Sequence, residues 1–516
     1  MMFAKKERGS LKSTTVSFKA PNKGWVKNQA LLDDVSGAAD VLDNIFPTAQ
    51  GGRLRKGCEL HATVAAAVKH LFTWKSGATE LMFAATASAI YDITSPADPA
   101  VSPAAAVSGL TSGDWSVANF ANSAGEFSVL ANGSDTVRNF DGSAWTVPAI
   151  TGVTTSLLSQ VWAFKERLWF VEKDTLSVWY LAVNAVAGAA TELPLKGIFQ
   201  LGGSLLFGAN WSLDSGDGLD DVCIFVTTEG EIAVYAGTDP SSSTTWGLQG
   251  VYRMGRPLSK NGWFKAGGNL AILTEDGIIP ISEAISKDRA ALQGVAITFP
   301  IEDAWQQAIA NRESEYPFTV TLWHSQTLLM IGVPAIDEDN DIAFVANART
   351  GAWCRYTGWD VQTSAVFDDK LYFGTAAATI YRGEVTGNDA GVAYDGLWVP
   401  RFYTGDGSQK FAVHARFRGR AAESYNIGFA CFADYEIGAI PIVASAQSSD
   451  LNNVWGTGVW GTMTWGGQTQ AVSTWQGVTG QGSALAPAVR IRSNRTVAPT
   501  LEVIALDLVF QQGGLL

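Results

Sequence analysis

Cysteine and histidine are scarce, four of each in 516 residues, and none forms a CxxC pair or an HExxH run. Cys58, Cys223, Cys354 and Cys431 lie far apart, so reduced buried thiols are expected rather than a disulfide framework. Only Cys58, His61 and His70 are near neighbours, and three mixed ligands without a fourth do not make a zinc site. Charge is thin too, at 16% against a typical content of about 25%. No apolar run reaches the ~18 residues of a membrane-spanning helix. The start, with Lys5, Lys6, Arg8 and Lys12, has no apolar signal-peptide core. GxSxG and GxxxxGK[ST] are also absent. Asp337 to Asp341 alternates acids, but Ile342 stands where a calcium loop turns on Gly and Ala348 where it closes on Glu. Ser212 to Gly216 begins like a sialidase Asp box, yet Leu219 holds the Trp position. The expectation is no metal, no cofactor and no enzymatic activity.

What is abundant is Gly, 53 residues, and Trp, 19, in a chain that is 47% hydrophobic. Gly-rich turns between aromatic and β-branched runs are what many short strands require. The chain repeats itself: LMFAATASAIYDI from Leu81, FSVLANGSDTV from Phe127, LWFVEKDTLSVWY from Leu168, CIFVTTEGEIAVY from Cys223, LAILTEDGIIPIS from Leu270, LLMIGVP from Leu328 and LYFGTAAATIYRG from Leu371. Each is a strand, a turn and a second strand, and several have a third strand ahead of them. The starts are separated by 46, 41, 55, 47, 58 and 43 residues. A period of roughly 40–50 residues with three or four strands per unit is the propeller range. The pattern therefore predicts an all-β fold, a β-propeller of about six to eight blades, in preference to a sandwich with coincidental hairpins. One stretch departs from it. Glu302 to Ala310 reads as helix, with acids at its start and Trp305 and Ile309 on one face, so a helical insertion is expected near 283–315.

The expected boundaries are a basic arm over 1–27, the propeller over 28–404 and a C-terminal all-β, sandwich-like module over 405–516. The arm holds seven basic residues and one acid, while the whole chain carries -13. Such an arm is expected to be solvated alone and ordered by a partner. Arg53, Arg55 and Lys56 form a basic cluster that suits either a docking surface or a solvated turn. Trp455, Trp460, Trp465 and Trp475 suit stacking on sugar rings or bases, or packing at an interface between subunits. The acidic body argues against sequence-specific nucleic-acid binding. It is compatible with a wall past which DNA slides, because like charges repel across a narrow gap.

The stretch GWVKNQALLDDVSGAADVLDNIFPTAQGGRLRKGCEL resembles the start of tail-nozzle proteins of short-tailed bacteriophages, the tail tubular protein B type. The shared elements are Asp43, Asn44, Phe46, Pro47, Gly52, Arg53, Arg55 and Gly57. VWAFKERLWF at 161–170, VWGTGVWGTMTWGG and ALDLVFQQGG are similar to segments of the same group. The resemblance implies a structural virion protein, assembled in the host cytoplasm as a six-fold homo-oligomeric ring of the phage tail. That ring would be a conduit and gate that retains packaged DNA and lets it exit. Its implied partners are a head–tail adaptor, tail fibres or spikes, and double-stranded DNA passing without sequence-specific contact. The alternative is a carbohydrate-binding or carbohydrate-cleaving propeller that acts as a receptor-binding tail component.

Overall fold

The computed structural model describes residues 13–28, 36–214, 219–312, 318–333, 341–441 and 469–513. The chain divides into two compact units. One comprises 60–344 and 358–383; the other gathers 1–59, 345–357 and 384–516.

The first unit is a β-propeller. All seven sequence repeats fall on second strands of antiparallel meanders: Thr79–Ala85, Gly125–Ala131, Arg167–Glu172, Leu219–Thr227, Asn269–Thr274, Leu328–Val333 and Lys370–Gly374. Six of these belong to blades of three or four strands, and the seventh station is the hairpin Thr319–Trp323 with Leu328–Val333. The last blade takes its outermost strand from Gly57–Thr63, where the chain enters, so the ring is fastened by both ends of the propeller segment. The strand Thr363–Phe367 of that blade packs on His70–Ser76 of the first, which completes the circle.

Large rings fill the wedges between blades. Phe72, Trp74 and Phe83 of the first blade share a cluster with Leu130 and Phe140 of the second. Between the third and fourth, Trp169 stacks on Trp162 at 5.9 Å and on Trp246 at 5.4 Å. A buried aromatic ring removes 150–250 Å² from water, on the order of 4–6 kcal/mol at about 25 cal/mol per Å². Glycine makes room for these rings: a Cβ on Gly208 would lie 2.4 Å from Trp162. The hairpin tips Lys165-Glu166 and Asp368-Asp369 take positive φ at both residues without glycine.

The helical insertion lies where it was expected. Helices Ile281–Ser286 and Glu302–Arg312, with three short 3-10 turns, follow the three-stranded fifth blade. Trp305 and Ile309 are both buried, and the Trp305 indole donates to the Thr274 carbonyl at 3.0 Å.

The second unit consists of two sheets. Gln470–Gly477, Lys410–Ala421 and Glu502–Gln512 form one, with Ser13–Lys19, Gly52–Leu54 and Ile45–Pro47 beyond. Gly24–Trp25, Ala38–Asp43, Tyr394–Pro400, Leu485–Ser493 and Asn426–Ala433 lie in that order in the other, with Ala352–Thr357 beside Gly24–Trp25. Ala415, Phe417, Leu506 and Leu508 of the first sheet and Ile427, Val489 and Ile491 of the second are buried. Gly396 lets the layers approach, since a Cβ there would meet Leu54 Cδ1 at 2.5 Å.

The expected boundaries are corrected by this division. The sandwich-like unit is not confined to 405–516; it includes described residues up to 59, the strand Ala352–Thr357 and the described residues from 384 onward. The arm is not wholly a solvated tail, because Ser13–Lys19 pairs along Lys19↔Ala505 to Ser13↔Gln511. Backbone hydrogen bonding to a strand nearly 500 positions away is invisible to local composition.

Close backbone crossings make the second unit sensitive to single methyl groups. A Cβ on Gly57 would lie 1.9 Å from the Asn388 carbonyl oxygen. Gly57→Ala is expected to cost about 3 kcal/mol, read as a lowered thermal midpoint; an unchanged midpoint would show that the crossing yields freely.

Candidate functional site

Arg55 is fully buried. Its Nε donates to Asn44 Oδ1 at 2.7 Å, Nη1 to Asp389 Oδ1 at 2.8 Å and the Lys56 carbonyl at 3.1 Å, and Nη2 to Asp389 Oδ2 at 2.7 Å and the Thr357 carbonyl at 3.0 Å. All three guanidinium nitrogens are thus engaged, and the group lies 4.1 Å from the centre of the Tyr394 ring. Asn44, held at φ 56, also donates to Thr357 Oγ1 and the Asp395 carbonyl, both at 2.8 Å. Arg53 pairs with the buried Glu384 at 2.8 Å and lies over Phe46, while Tyr356 donates to the same carboxylate at 2.8 Å. Asp43 receives a bidentate Arg355 at 2.6 and 2.9 Å.

Arg55 is therefore removed from the expected docking surface, because a fully buried and saturated guanidinium has nothing to offer a partner. Arg53 is 25% exposed and committed to Glu384; Lys56 is half-buried. The eight residues that carried the family resemblance do related work. Besides those above, the Pro47 carbonyl accepts from Asn347, and a Cβ on Gly52 would press on Ile45. They form a lock within the second unit, not a recognition surface.

Of the predicted tryptophans, Trp455, Trp460 and Trp465 lie outside the described residues. Trp475 is 48% exposed, with the Arg416 guanidinium 4.6 Å from its ring centre. Arg416 and Arg418 share the buried carboxylate of Asp507, at 2.6 and 3.2 Å. Sequence reasoning overlooked this group, although HARFRGR from His414 places basic residues at every second position of a strand and hence on one face.

A second arrangement lies on the propeller axis. Lys260 precedes the first strand of the fifth blade, yet its ammonium donates to the Asp114 carbonyl at 2.6 Å and the Ser159 carbonyl at 3.1 Å, with Asp114 Oδ2 at 3.1 Å. Asp114 precedes the second blade's first strand, and Ser159 lies in the third blade's. One side chain thus spans the ring, and Asn261 adds a bond to the Trp115 carbonyl at 3.0 Å. Burial lowers the Lys260 pKa, opposed by Asp114. Nearby, burial drives the His70 pKa down to about 4, with Asp114 raising and Lys260 lowering it.

A third feature is a cleft of about 390 Å³ between the Lys165 hairpin tip and the fourth blade. Trp211, Val222, Val234, Tyr252 and Ile285 form its apolar walls; Lys165 and Asp221, 3.8 Å apart, are its charged groups. Ser212 donates to Asp221 at 2.6 Å. Among the described residues, no group of three His, Cys, Asp or Glu is arranged to hold a metal, and no helix is long and apolar enough to cross a membrane. The four cysteines are buried and free.

No protein-family model matches the chain, and no curated protein matches it. Solved structures similar to it are propellers at low identity. The WD40 propeller domain of Doa1 is 8% identical over 63% of this chain and 97% of its own, with TM-score 0.38. The computationally designed Ika8 protein is 11% identical over 63% and 99%, with TM-score 0.36. BamB from Moraxella catarrhalis is 12% identical over 72% and 98%, with TM-score 0.34. At these scores the likenesses add no functional argument.

Two outcomes are expected. Arg55→Met strands Asp389 and should cost about 3–5 kcal/mol, with Arg55→Met/Asp389→Asn together costing less than the two single changes added; additive losses in urea unfolding would dissolve the lock. His70 binds its proton less readily folded than unfolded, so it contributes stability above pH 6.5 that is lost as pH falls towards 4. His70→Gln should flatten the stability profile across that window and leave it unchanged above it.

Proposed function

We propose that the protein is a structural component of a short-tailed phage tail, a nozzle or hub that assembles as a ring and conducts DNA. The observation that carries this reading is the division of charge. The propeller unit holds 33 Asp and Glu against 16 Lys and Arg, a formal -17, and the other unit holds 16 against 20, a formal +4. An acidic rigid body repels a passing duplex instead of binding it. The passage is not the propeller's own axis, because an opening that one lysine side chain spans admits no duplex. It runs between copies, along their acidic walls. The lock from Asp43 to Gly57 supports the family resemblance, since it gives that motif a shared structural purpose. Partners of this reading are the adaptor ring above, fibres or spikes at the side and DNA within, in the virion.

A carbohydrate-binding component is the second reading, favoured by the cleft beside Trp211 and Tyr252, whose volume suits a single sugar ring. Cleavage is less supported than binding. Glycoside hydrolysis takes two carboxyl groups, and Asp221 is the one acid among the described residues that line the cleft.

Class averages of the purified chain by electron microscopy, alone and with the candidate adaptor ring, test the first reading. Closed rings around an open or plugged channel are expected. Single discs under every condition, together with glycan binding that Trp211→Ala abolishes, would replace the conduit with the carbohydrate reading.

A further inference from the structure

The charge division leaves one face of the second unit in a particular position. Strand pairing places three rungs across its larger sheet. Lys19, Ala505, Arg418 and Ser473 are neighbours in one rung; Ser17, Asp507, Arg416 and Trp475 in the next; Glu502, Arg420 and Ala471 in a third. Directly paired residues of neighbouring strands point to the same side. The Arg418 bond to Ser17 Oγ at 2.9 Å and the Arg416 position over Trp475 confirm the shared face. The opposite side carries Ala415, Phe417, Leu506 and Leu508, which are buried.

This outer face is built as a contact surface. Asp507 is 2% exposed and fixes Arg416 and Arg418, so their guanidinium groups are held in place before any partner arrives. Asp507 and Glu502 set two carboxylates against Lys19, Arg416, Arg418 and Arg420, so the face keeps a positive excess. Neither Lys19 nor Arg420 has an ion-pair partner among the described residues. Trp475 presents a large ring beside them. Arginine and tryptophan, ordered and close together, are the residues that dominate association energies.

We infer that this face docks onto the acidic propeller unit of a second copy of the chain. The inference rests on the ring proposed above and names the contact that would build it. The occupant follows from charge. A face carrying four cations against two carboxylates is net positive and repels its own image, so a two-fold contact of this face with itself is disfavoured. The same chain supplies the complement, a unit of formal charge -17. Pairing different surfaces of identical chains is a head-to-tail contact, which repeats until it closes as a ring or extends as a filament. Such a contact is electrostatic at its rim and weakens as salt rises.

The test uses the full chain and the variants Lys19→Glu/Arg420→Glu and Trp475→Ala, which leave Asp507 and its two arginines in place. Sedimentation velocity at low and high salt reads assembly; circular dichroism and thermal melting check the fold. Wild type is expected to assemble in a salt-sensitive manner, and each variant to melt like wild type yet assemble at least roughly tenfold more weakly, since like charges at an interface cost several kcal/mol. Rings that form equally well in all three chains would overturn this contact and leave the ring itself standing. Wild type that stays monomeric throughout would overturn both. Binding of a fluorescein-labelled DNA duplex, lost in the charge variant while assembly is unchanged, would overturn the contact and assign the face to nucleic acid.

Discussion

A buried guanidinium is among the most expensive groups a fold can hold, because moving an ion out of water costs several kcal/mol even after relaxation. Arg55 is tolerable only because its nitrogens find acceptors in four places, Asn44, Lys56, Thr357 and Asp389. Those acceptors come from three stretches of chain, the first of them more than 300 positions from Thr357 and Asp389. The requirement to satisfy Arg55 therefore specifies which stretches must meet, and it does so with more directional demand than apolar burial could. The neighbouring pairs, Arg53 with Glu384 and Arg355 with Asp43, repeat the device. This explains how one unit is assembled from residues on both sides of a propeller-length segment. Its register is set by charges that would be stranded in any other pairing.

The propeller is held differently. Its blades recur every few dozen residues, and each hairpin finds its partners next door in sequence. Aromatic wedges and glycine gaps hold neighbouring blades together, with Trp162 above Gly208 as the clearest case. Lys260 and Asn261 work across the ring, and the three oxygen partners of Lys260 offset the desolvation that lowers its pKa. The two units thus divide the labour. One supplies a repetitive acidic body; the other supplies a locked frame with a basic face.

This difference explains what could be read in the sequence. The seven repeats, the helical insertion and its buried Trp305 were legible because hairpins and helices are written in local pattern. The second unit was not, since Arg55 and Asp389 stand 334 positions apart and nothing near either announces the other. A cluster of Arg53, Arg55 and Lys56 looks solvated when only charge is visible. Its burial follows from partners that the local stretch does not contain. Arg416, Arg418 and Arg420 are the converse: they were overlooked although their alternation in a strand suffices to place them on one face, while the carboxylate that orders two of them lies in another strand, at Asp507.

The same placements bear on what kind of work the protein does. Hydrolysis of a glycosidic bond takes two carboxyl groups a few ångströms apart, one of them free to give up a proton. The propeller's buried acid, Glu231, accepts from the backbone N–H groups of Gln200 and Leu201, and the partly exposed Asp114 and Asp221 are engaged by Lys260 and by Lys165 with Ser212. In the second unit Asp40, Asp43, Glu384, Asp389 and Asp507 are each tied to arginine, while the buried Glu423 accepts from Tyr425 and Thr500. Carboxylates committed in this way hold elements of the fold together through directional, charge-assisted bonds. Much of the remaining negative charge is spread over the propeller's surface, where it acts on other molecules at a distance. On the reading proposed above, a diffuse negative field of this kind would repel a polyanion and leave it free to pass.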